Sequence, residues 1–327
     1  MTNSSILPDC RLILCLFLLQ IPAYVLAEDN GLTPQQLVGR MSQASHELNY
    51  DGIFIYRHGR QLDTMRIIHK KGPDGEVERL FSLTGHPREV IRNKNSVTCI
   101  FPDNKAVIVE KSRPYDFPLE QLLEPIGSIA KYYKMSITGK DRIAGNPATI
   151  VTIQPNDNYR YGYQLWIDDK NSLLLKSELK NESGYPLEQI IFTKLDVVAA
   201  IPDALLKPSI SGKGFTHYDN TMLSRSSGIN INNWRVGWAP GGFTMSNIGV
   251  NAQSGNSVDH MVYSDGVAMV SVFIEKMKDN SQFIPGASKM GAVNAYTSHT
   301  GSYQVTAVGE VPPSTVEKMA ISVVNVK

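Results

Sequence analysis

The apolar positions along the chain do not keep one period. The first signal is continuous: Leu12, Ile13, Leu14, Cys15, Leu16, Phe17, Leu18 and Leu19 follow Arg11, small residues run to Ala27, and Glu28 and Asp29 open a polar stretch. A positive start, a short apolar core and a small residue at the cut make a secretory signal peptide over residues 1–27, cleaved after Ala27. An uncleaved anchor would need ~20 apolar residues, and Gln20 and Pro22 interrupt this run. The period then becomes helical. Leu37, Met41, Ala44 and Leu48 share one face of a helix over 33–48, with Thr33 as cap and Pro34 in its first turn.

Beyond residue 50 the period drops to two. Strand-length runs at 52–57, 61–70, 76–83, 89–92, 96–101 and 106–110 are divided by turn chemistry such as Gly72-Pro73-Asp74-Gly75 and Asn93-Lys94-Asn95. A second helix is predicted over about 118–133, its stripe made by Leu119, Leu122, Leu123, Ile126, Ala130 and Tyr133 and kinked by Pro125 and Gly127. Strands resume near 135–143, 148–154, 159–168, 173–180 and 186–194. About eleven antiparallel strands with short connections curl into a barrel, open or closed. In that barrel Tyr159, Tyr161 and Tyr163 would share one strand face, with Trp166 on the other. The inner face is then either filled by the helix as core, or left with a cavity that accepts an apolar ligand.

Composition changes after residue 200. The segment 201–216 holds Pro202, Pro208, Gly212 and Gly214 and reads as a linker between a domain at 28–200 and a smaller one at 217–327. Residues 28–210 carry 46 charged side chains and residues 211–327 only 15, so the second part is of a different kind, rich in Ser, Asn, Gly and Thr. Its predicted elements are strands at 235–238, 261–264, 269–275 and 303–309 and a helix over about 314–323. The whole chain is near neutral, with 32 basic and 31 acidic residues, which argues against nucleic acid as a partner. Removal of residues 1–27 leaves Cys99 as the one cysteine, so no internal disulfide is expected.

Chemical motifs are sparse. The seven histidines form no metal-type spacing, and there is no nucleophile elbow, phosphate-binding loop or dinucleotide fingerprint. No catalytic residue, metal or cofactor is assigned. Asp168-Asp169 reads as a turn, and His260 near Asp265 as ordinary structure. The chain is read as a non-enzyme, with His260 the test position for the alternative.

Several runs carry a family resemblance. They are Gly85-His86-Pro87-Arg88-Glu89-Val90-Ile91-Arg92, the stretch Tyr159-Arg160-Tyr161-Gly162-Tyr163-Gln164-Leu165-Trp166-Ile167-Asp168, and Trp234-Arg235-Val236-Gly237-Trp238-Ala239-Pro240-Gly241-Gly242-Phe243. His260-Met261-Val262-Tyr263-Ser264-Asp265-Gly266 and Val308-Gly309-Glu310-Val311-Pro312 complete the set. Together they resemble the RseB/MucB family of sigma-E regulatory proteins over nearly all of the chain after the signal peptide. The resemblance implies an α+β, β-rich fold: an open, unclosed antiparallel β-barrel with a helical lid, similar to lipoprotein carriers, followed by a smaller α+β domain. It implies a periplasmic negative regulator of the envelope stress response. Such a protein binds the periplasmic domain of a membrane-spanning anti-sigma factor, shields it from proteolysis, and lets go on sensing lipid, whether lipopolysaccharide or acyl chains of mislocalised lipoproteins. A periplasmic lipoprotein carrier is the alternative, and a homo-oligomer is left open.

Site residues follow from that frame. The expected lipid-binding set is Ile53, Ile55, Met65, Ile67 and Leu80 on strands, with Leu122 and Ile126 on the lid. A register slip of one would turn such a set to the other face. For partner contact the expectation is a group of exposed aromatic and arginine positions, Trp234, Arg235, Trp238 and Phe243.

Overall fold

The computed structural model describes residues 31–112, 130–219, 233–253, 256–277 and 285–326. The expected signal peptide at 1–27 and the expected lid positions Leu122 and Ile126 lie outside them. The first helix, α1 (Pro34–Glu47), starts as its sequence dictates. The Thr33 side chain accepts the Gln36 N–H at 3.2 Å, the Gln36 side chain accepts the Thr33 N–H at 2.8 Å, and Pro34 occupies the first turn. Its buried stripe is Val38, Met41 and Ala44.

The eleven expected strands all form: β1 (Tyr50–His58), β2 (Gln61–Gly72), β3 (Gly75–Ser82), β4 (Glu89–Asn93), β5 (Ser96–Phe101), β6 (Ala106–Lys111), β7 (Tyr133–Ile143), β8 (Asn146–Pro155), β9 (Gly162–Asp168), β10 (Leu174–Lys180) and β11 (Pro186–Val197). Tyr133 opens β7 rather than closing a helix, and β9 starts at Gly162, so Tyr159 and Tyr161 precede the strand. A twelfth strand, β12 (Thr216–Asp219), takes the last residue of the segment read as linker and the first three of the expected C-terminal domain, and pairs parallel to β6. The sheet order is β12-β6-β5-β4-β3-β2-β1-β11-β10-β9-β8-β7. Its two end strands do not pair with each other, so the sheet is unclosed.

The two faces of this sheet are covered differently. Helix α1 lies on the inner face. Val38 and Met41 pack with Val151, Ile153, Tyr163 and Leu165, and Ala44 packs with Tyr50, Phe54, Met65 and Ile67. Gly52 sits where β11 comes closest; a Cβ there would lie 2.6 Å from the Phe192 ring. The outer face is crossed by the segment after β11. Ile201 and Leu206 bury against Ile68, the Arg79 guanidinium donates to the Leu205 carbonyl at 2.8 Å, and the Ser209 N–H and hydroxyl both donate to Glu89. Arg79 and Glu89 form an ion pair beneath that strap, with the Glu89 side chain only 1% exposed.

The C-terminal part builds a six-stranded antiparallel sheet from β14 (Thr244–Gln253), β15 (Asn256–Ser264), β16 (Met269–Lys276), β17 (Gly286–Met290), β18 (Val293–Thr300) and β19 (Tyr303–Gly309), in the order β14-β15-β16-β19-β18-β17. Helix α2 (Pro313–Ile321) packs on it through Val316, Met319 and Ala320. The short strands β13 (Trp234–Val236) and β20 (Val323–Asn325) pair beside it.

One buried charge sits at the junction of the two sheets. Arg160, just before β9, is wholly buried. Its guanidinium pairs with the buried carboxylate of Asp265, donates to the Gly241 carbonyl at 2.7 Å and bonds to Asp157 at 3.0 Å. The rings of Tyr132, Tyr133 and Phe243 lie 5.2–5.4 Å from its central carbon. Asp265 is fully engaged: Tyr133 Oη donates to it at 2.9 Å, and the Val267 and Ala268 N–H groups donate to its other oxygen at 2.9 and 2.8 Å. Burial works against the charge on Arg160, but Asp265, Tyr133 and Asp157 together outweigh it and hold the guanidinium above its usual pKa. Gly242 completes the fit. Its φ of +90° suits glycine, and a Cβ there would lie 2.4 Å from the Tyr132 ring.

Removing one partner of a buried ion pair leaves an uncompensated charge, costing about 3–5 kcal/mol. Arg160→Ala should therefore lower the urea-unfolding free energy by about that amount, and a loss below about 1 kcal/mol would contradict this role.

Candidate functional site

The inner face of the large sheet is only partly filled, and what α1 leaves open is an apolar trough. Strand alternation sets its walls. Tyr50, Phe54 and Tyr56 point inward from β1, and because Phe54 opposes Met65 and Gly52 opposes Ile67, the inward residues of β2 have the opposite parity. Two adjoining cavities share Phe54 and Ile190. The smaller, about 120 Å³, lies against α1 and is lined by Met41, Tyr50, Ile67, His69, Leu173 and Phe192 among others. The larger, about 310 Å³, is lined by Tyr56, Met65, Leu80, Val90, Phe101, Tyr163 and Leu179, with polar groups at one end.

Of the expected lipid-binding residues, Met65, Ile67 and Leu80 line this trough. Ile53 and Ile55 do not. They lie on the opposite face of β1 from Phe54, where Ile53 stands across from Arg66. Both parities of β1 carry large apolar side chains, and Gly52 on the inward side hides the correct one. The expected partner-contact group is also redistributed. Trp234 and Phe243 are buried in the C-terminal core. Trp238 is half-buried, edge-on to Tyr159 at 5.0 Å. Only Arg235 is exposed. The premise of exposed aromatics at those positions is therefore corrected: these rings build the domain and its junction.

The polar end of the larger cavity draws on both sheets. Glu188 of β11 accepts the Tyr56 hydroxyl at 2.9 Å on one oxygen and the Ala292 N–H at 3.4 Å on the other. Glu310, which follows β19, reaches the same cavity from the C-terminal domain. Tyr163 lines both this cavity and a third, about 210 Å³, that continues between the sheets beside Val267, Met269, Val293 and Val308. Burial, reinforced by the charge of Glu188, pushes the Glu310 carboxyl up to about 7. Burial also raises the phenols of Tyr163 and Tyr56, with Glu310 and Glu188 adding to the effect. Arg88 stands half-exposed at the rim, 3.8 Å from Asp63. At the opposite end His69 stacks on Tyr50 at 4.9 Å, its Nδ1 2.8 Å from the Leu48 carbonyl oxygen, and burial lowers its pKa.

Sequence reasoning missed Arg160, Glu310 and Asn294. Asn294 Nδ2 donates to the Tyr161 hydroxyl at 3.0 Å and to the Val311 carbonyl at 2.8 Å, a second tie across the junction. The available signal was local: Arg160 is a charge flanked by Tyr159 and Tyr161. The other chemical readings stand as structure. His260 stacks on Phe273 at 4.3 Å, Asp265 serves Arg160, and Asp168 accepts the Lys170 N–H at 2.7 Å in a turn. Among the described residues no group of three or more His, Cys, Asp or Glu could hold a metal, and no helix is long and apolar enough to cross a membrane.

Glu310 gives a pH signature. Its carboxyl holds a proton in the folded chain at pH values where the unfolded chain has released it. Folded-state stability therefore falls as pH rises from about 4.5 through about 7. Glu310→Gln removes that loss, so its melting temperature should gain on the native chain between about pH 4.5 and about pH 8. A difference that does not vary with pH would contradict the assignment.

Both parts of the chain have relatives. A family model described as the MucB/RseB N-terminal domain matches residues 33–210, and one described as the MucB/RseB C-terminal domain matches residues 229–324. The sigma factor AlgU regulatory protein MucB of Pseudomonas aeruginosa is 29% identical, over 88% of this chain and 89% of its own length. The sigma-E factor regulatory protein RseB of Haemophilus influenzae is 27% identical, over 90% and 92%. Among solved structures, the complex of P. aeruginosa MucA and MucB aligns with a TM-score of 0.71 at 27% identity, covering 89% of this chain and 98% of that one. A crystal structure of MucB aligns at 0.60 and 29%, covering 88% and 96%. With its unclosed sheet, its apolar trough and a second domain tied to both, the chain belongs to the MucB/RseB family.

Proposed function

We propose that this chain is a periplasmic negative regulator of a sigma-E-type factor. It binds the periplasmic domain of a membrane-spanning anti-sigma factor, shields that domain from proteolysis, and releases it when lipid enters the trough. The observation that carries the reading is the trough itself, whose polar end is completed by Glu310 from the C-terminal domain. Relatives support the partner: MucB has been solved in complex with MucA and with its periplasmic portion.

The energetics suit a sensor. A buried methylene contributes ~0.8 kcal/mol, so a long acyl chain offers on the order of 10 kcal/mol before ordering costs. Lipid can expel a protein partner only by binding the partner-free form better. Because ligand in the trough would touch both sheets, it has a direct means of favouring one arrangement of the junction. The strap from 198 to 209 is packed along the outer face and the chain then joins the sheet edge as β12, which puts the adjustable contacts at the junction rather than in a loose linker. A lipoprotein carrier would also use the trough, but would have no use for a second domain tied to it by Arg160 and Asn294.

The test is a protection assay on the full chain. The half-life of the anti-sigma factor's periplasmic domain under its regulatory protease should lengthen several-fold with this protein and shorten again on adding lipopolysaccharide or a lipidated peptide. Unchanged cleavage would reject the regulator. Lipid transfer to an acceptor without capture of the partner would favour the carrier.

A further inference from the structure

Four large apolar side chains stand in water at one end of the molecule. Leu62 and Tyr185 are 63% exposed, Met290 is 72% exposed and Leu83 46%. Single exposed apolar residues are ordinary, but a contiguous group marks an interaction surface, and these four meet around the β1–β2 hairpin. Leu62 stands opposite Arg57, whose guanidinium donates at 3.0 Å to the carbonyl of Pro186, next to Tyr185. The Leu83 N–H donates to the Thr64 carbonyl at 2.7 Å, and Thr64 shares a strand face with Leu62. Met290 precedes Gly291, where a Cβ would lie 3.7 Å from the His58 Cβ and 3.3 Å from a Glu188 carboxylate oxygen.

The charge beside these tips leans positive. Arg60, Arg88 and Lys289 are exposed there, against Glu182. The other acids of this end are engaged. Asp63 is buried and faced by His58 at 3.7 Å and Arg88 at 3.8 Å, Glu188 accepts the Tyr56 hydroxyl, and Asp103 lies 2.8 Å from His86. The larger trough cavity reaches the same end, where Arg88 and Glu188 line it. Apolar tips with a tyrosine among them and arginine and lysine beside them suit the headgroup zone of an anionic bilayer. The tips come from the ends of four different hairpins rather than from one strand or helix face, which fits a deformable lipid surface better than a rigid protein one. Resting on the lipid-trough reading for its purpose, we propose that this end docks on an anionic membrane surface: Leu62, Leu83, Tyr185 and Met290 enter the interface while Arg60, Arg88 and Lys289 face lipid phosphates. Docking brings the larger cavity to the surface from which lipid is taken. Lys289 and Met290 belong to the C-terminal domain and the others to the large sheet, so the docking surface needs both domains in their observed arrangement.

The experiment floats the full-length processed chain with vesicles of phosphatidylcholine alone and of equal parts phosphatidylcholine and phosphatidylglycerol. The chain should bind the mixed vesicles on the order of tenfold more tightly, with that preference shrinking as salt is added. Arg60→Gln should weaken binding to the mixed vesicles roughly fivefold, and the double substitution Leu62→Ser, Met290→Ser on the order of tenfold. Arg60, Leu62 and Met290 are not among the residues that line the trough cavities, so both variants should keep native affinity for a soluble, neutral fluorescent apolar probe. Equal binding to the two kinds of vesicle, no binding to either, or native vesicle binding by both variants would overturn the docking surface; probe binding retained in the same samples would leave the trough reading standing. Loss of anti-sigma-factor capture by the double variant, with its vesicle binding intact, would make the patch a protein interface and overturn the membrane assignment. If no probe binds a chain whose thermal melt is native, the trough reading falls, and docking loses its purpose even where vesicles are bound.

Discussion

A wholly buried guanidinium is the constraint on which the arrangement depends. Arg160 cannot shed its charge and has been taken out of water, so every donor and both faces must be met by protein. They are met by groups from both halves of the chain: Asp157, Tyr132 and Tyr133 on the large sheet, and Gly241, Phe243 and Asp265 on the C-terminal side. Neither half alone satisfies it. The same node explains two backbone features, the glycine at 242 against the Tyr132 ring and the Asp265 turn that collects the Val267 and Ala268 N–H groups.

With the junction set in that way, the trough becomes a shared structure. Its apolar walls come from the large sheet and α1, but one of its polar groups comes from the loop after β19. Glu188 ties the same region to the Ala292 amide, and Asn294 reaches back to Tyr161. A ligand in the trough is therefore in contact with groups whose positions depend on the domain junction. Under the proposed function, this would be a physical route from lipid occupancy to partner affinity that does not need a flexible tether.

The large sheet was legible because two signals coincided there: period-two apolar alternation and turn residues at short intervals. Both fade in the C-terminal domain. The strand β17, Gly-Ala-Ser-Lys-Met, is exposed along its whole length, and β18 mixes Asn, Thr, Ser and His with few apolar residues, so neither has a face to detect. The strand β12 is exposed as well and exists because β6 offers an edge. The inward face of β1 was misread because Ile53 and Ile55 look more apolar than Gly52, although the glycine marks the side where Phe192 closes in. Trp234 and Phe243 read as surface because aromatic and arginine residues cluster in that stretch, yet they pack a core and a cation. Arg160 and Asp265 are 105 residues apart, and no local period joins two single charges at that distance. The family resemblance carried the functional frame; the site geometry had to come from the fold.

The central claim is that the trough and the C-terminal domain act as one unit through this junction. Amide hydrogen exchange on the full chain, with and without a trough ligand, addresses it most directly. The reporters are the N–H groups of Val267 and Ala268, which donate to Asp265, and of Ala292, which donates to Glu188. Their exchange should change together with that of β1 and β2 when ligand binds. A change confined to the strands of the large sheet, with these three amides unaltered, would contradict the account.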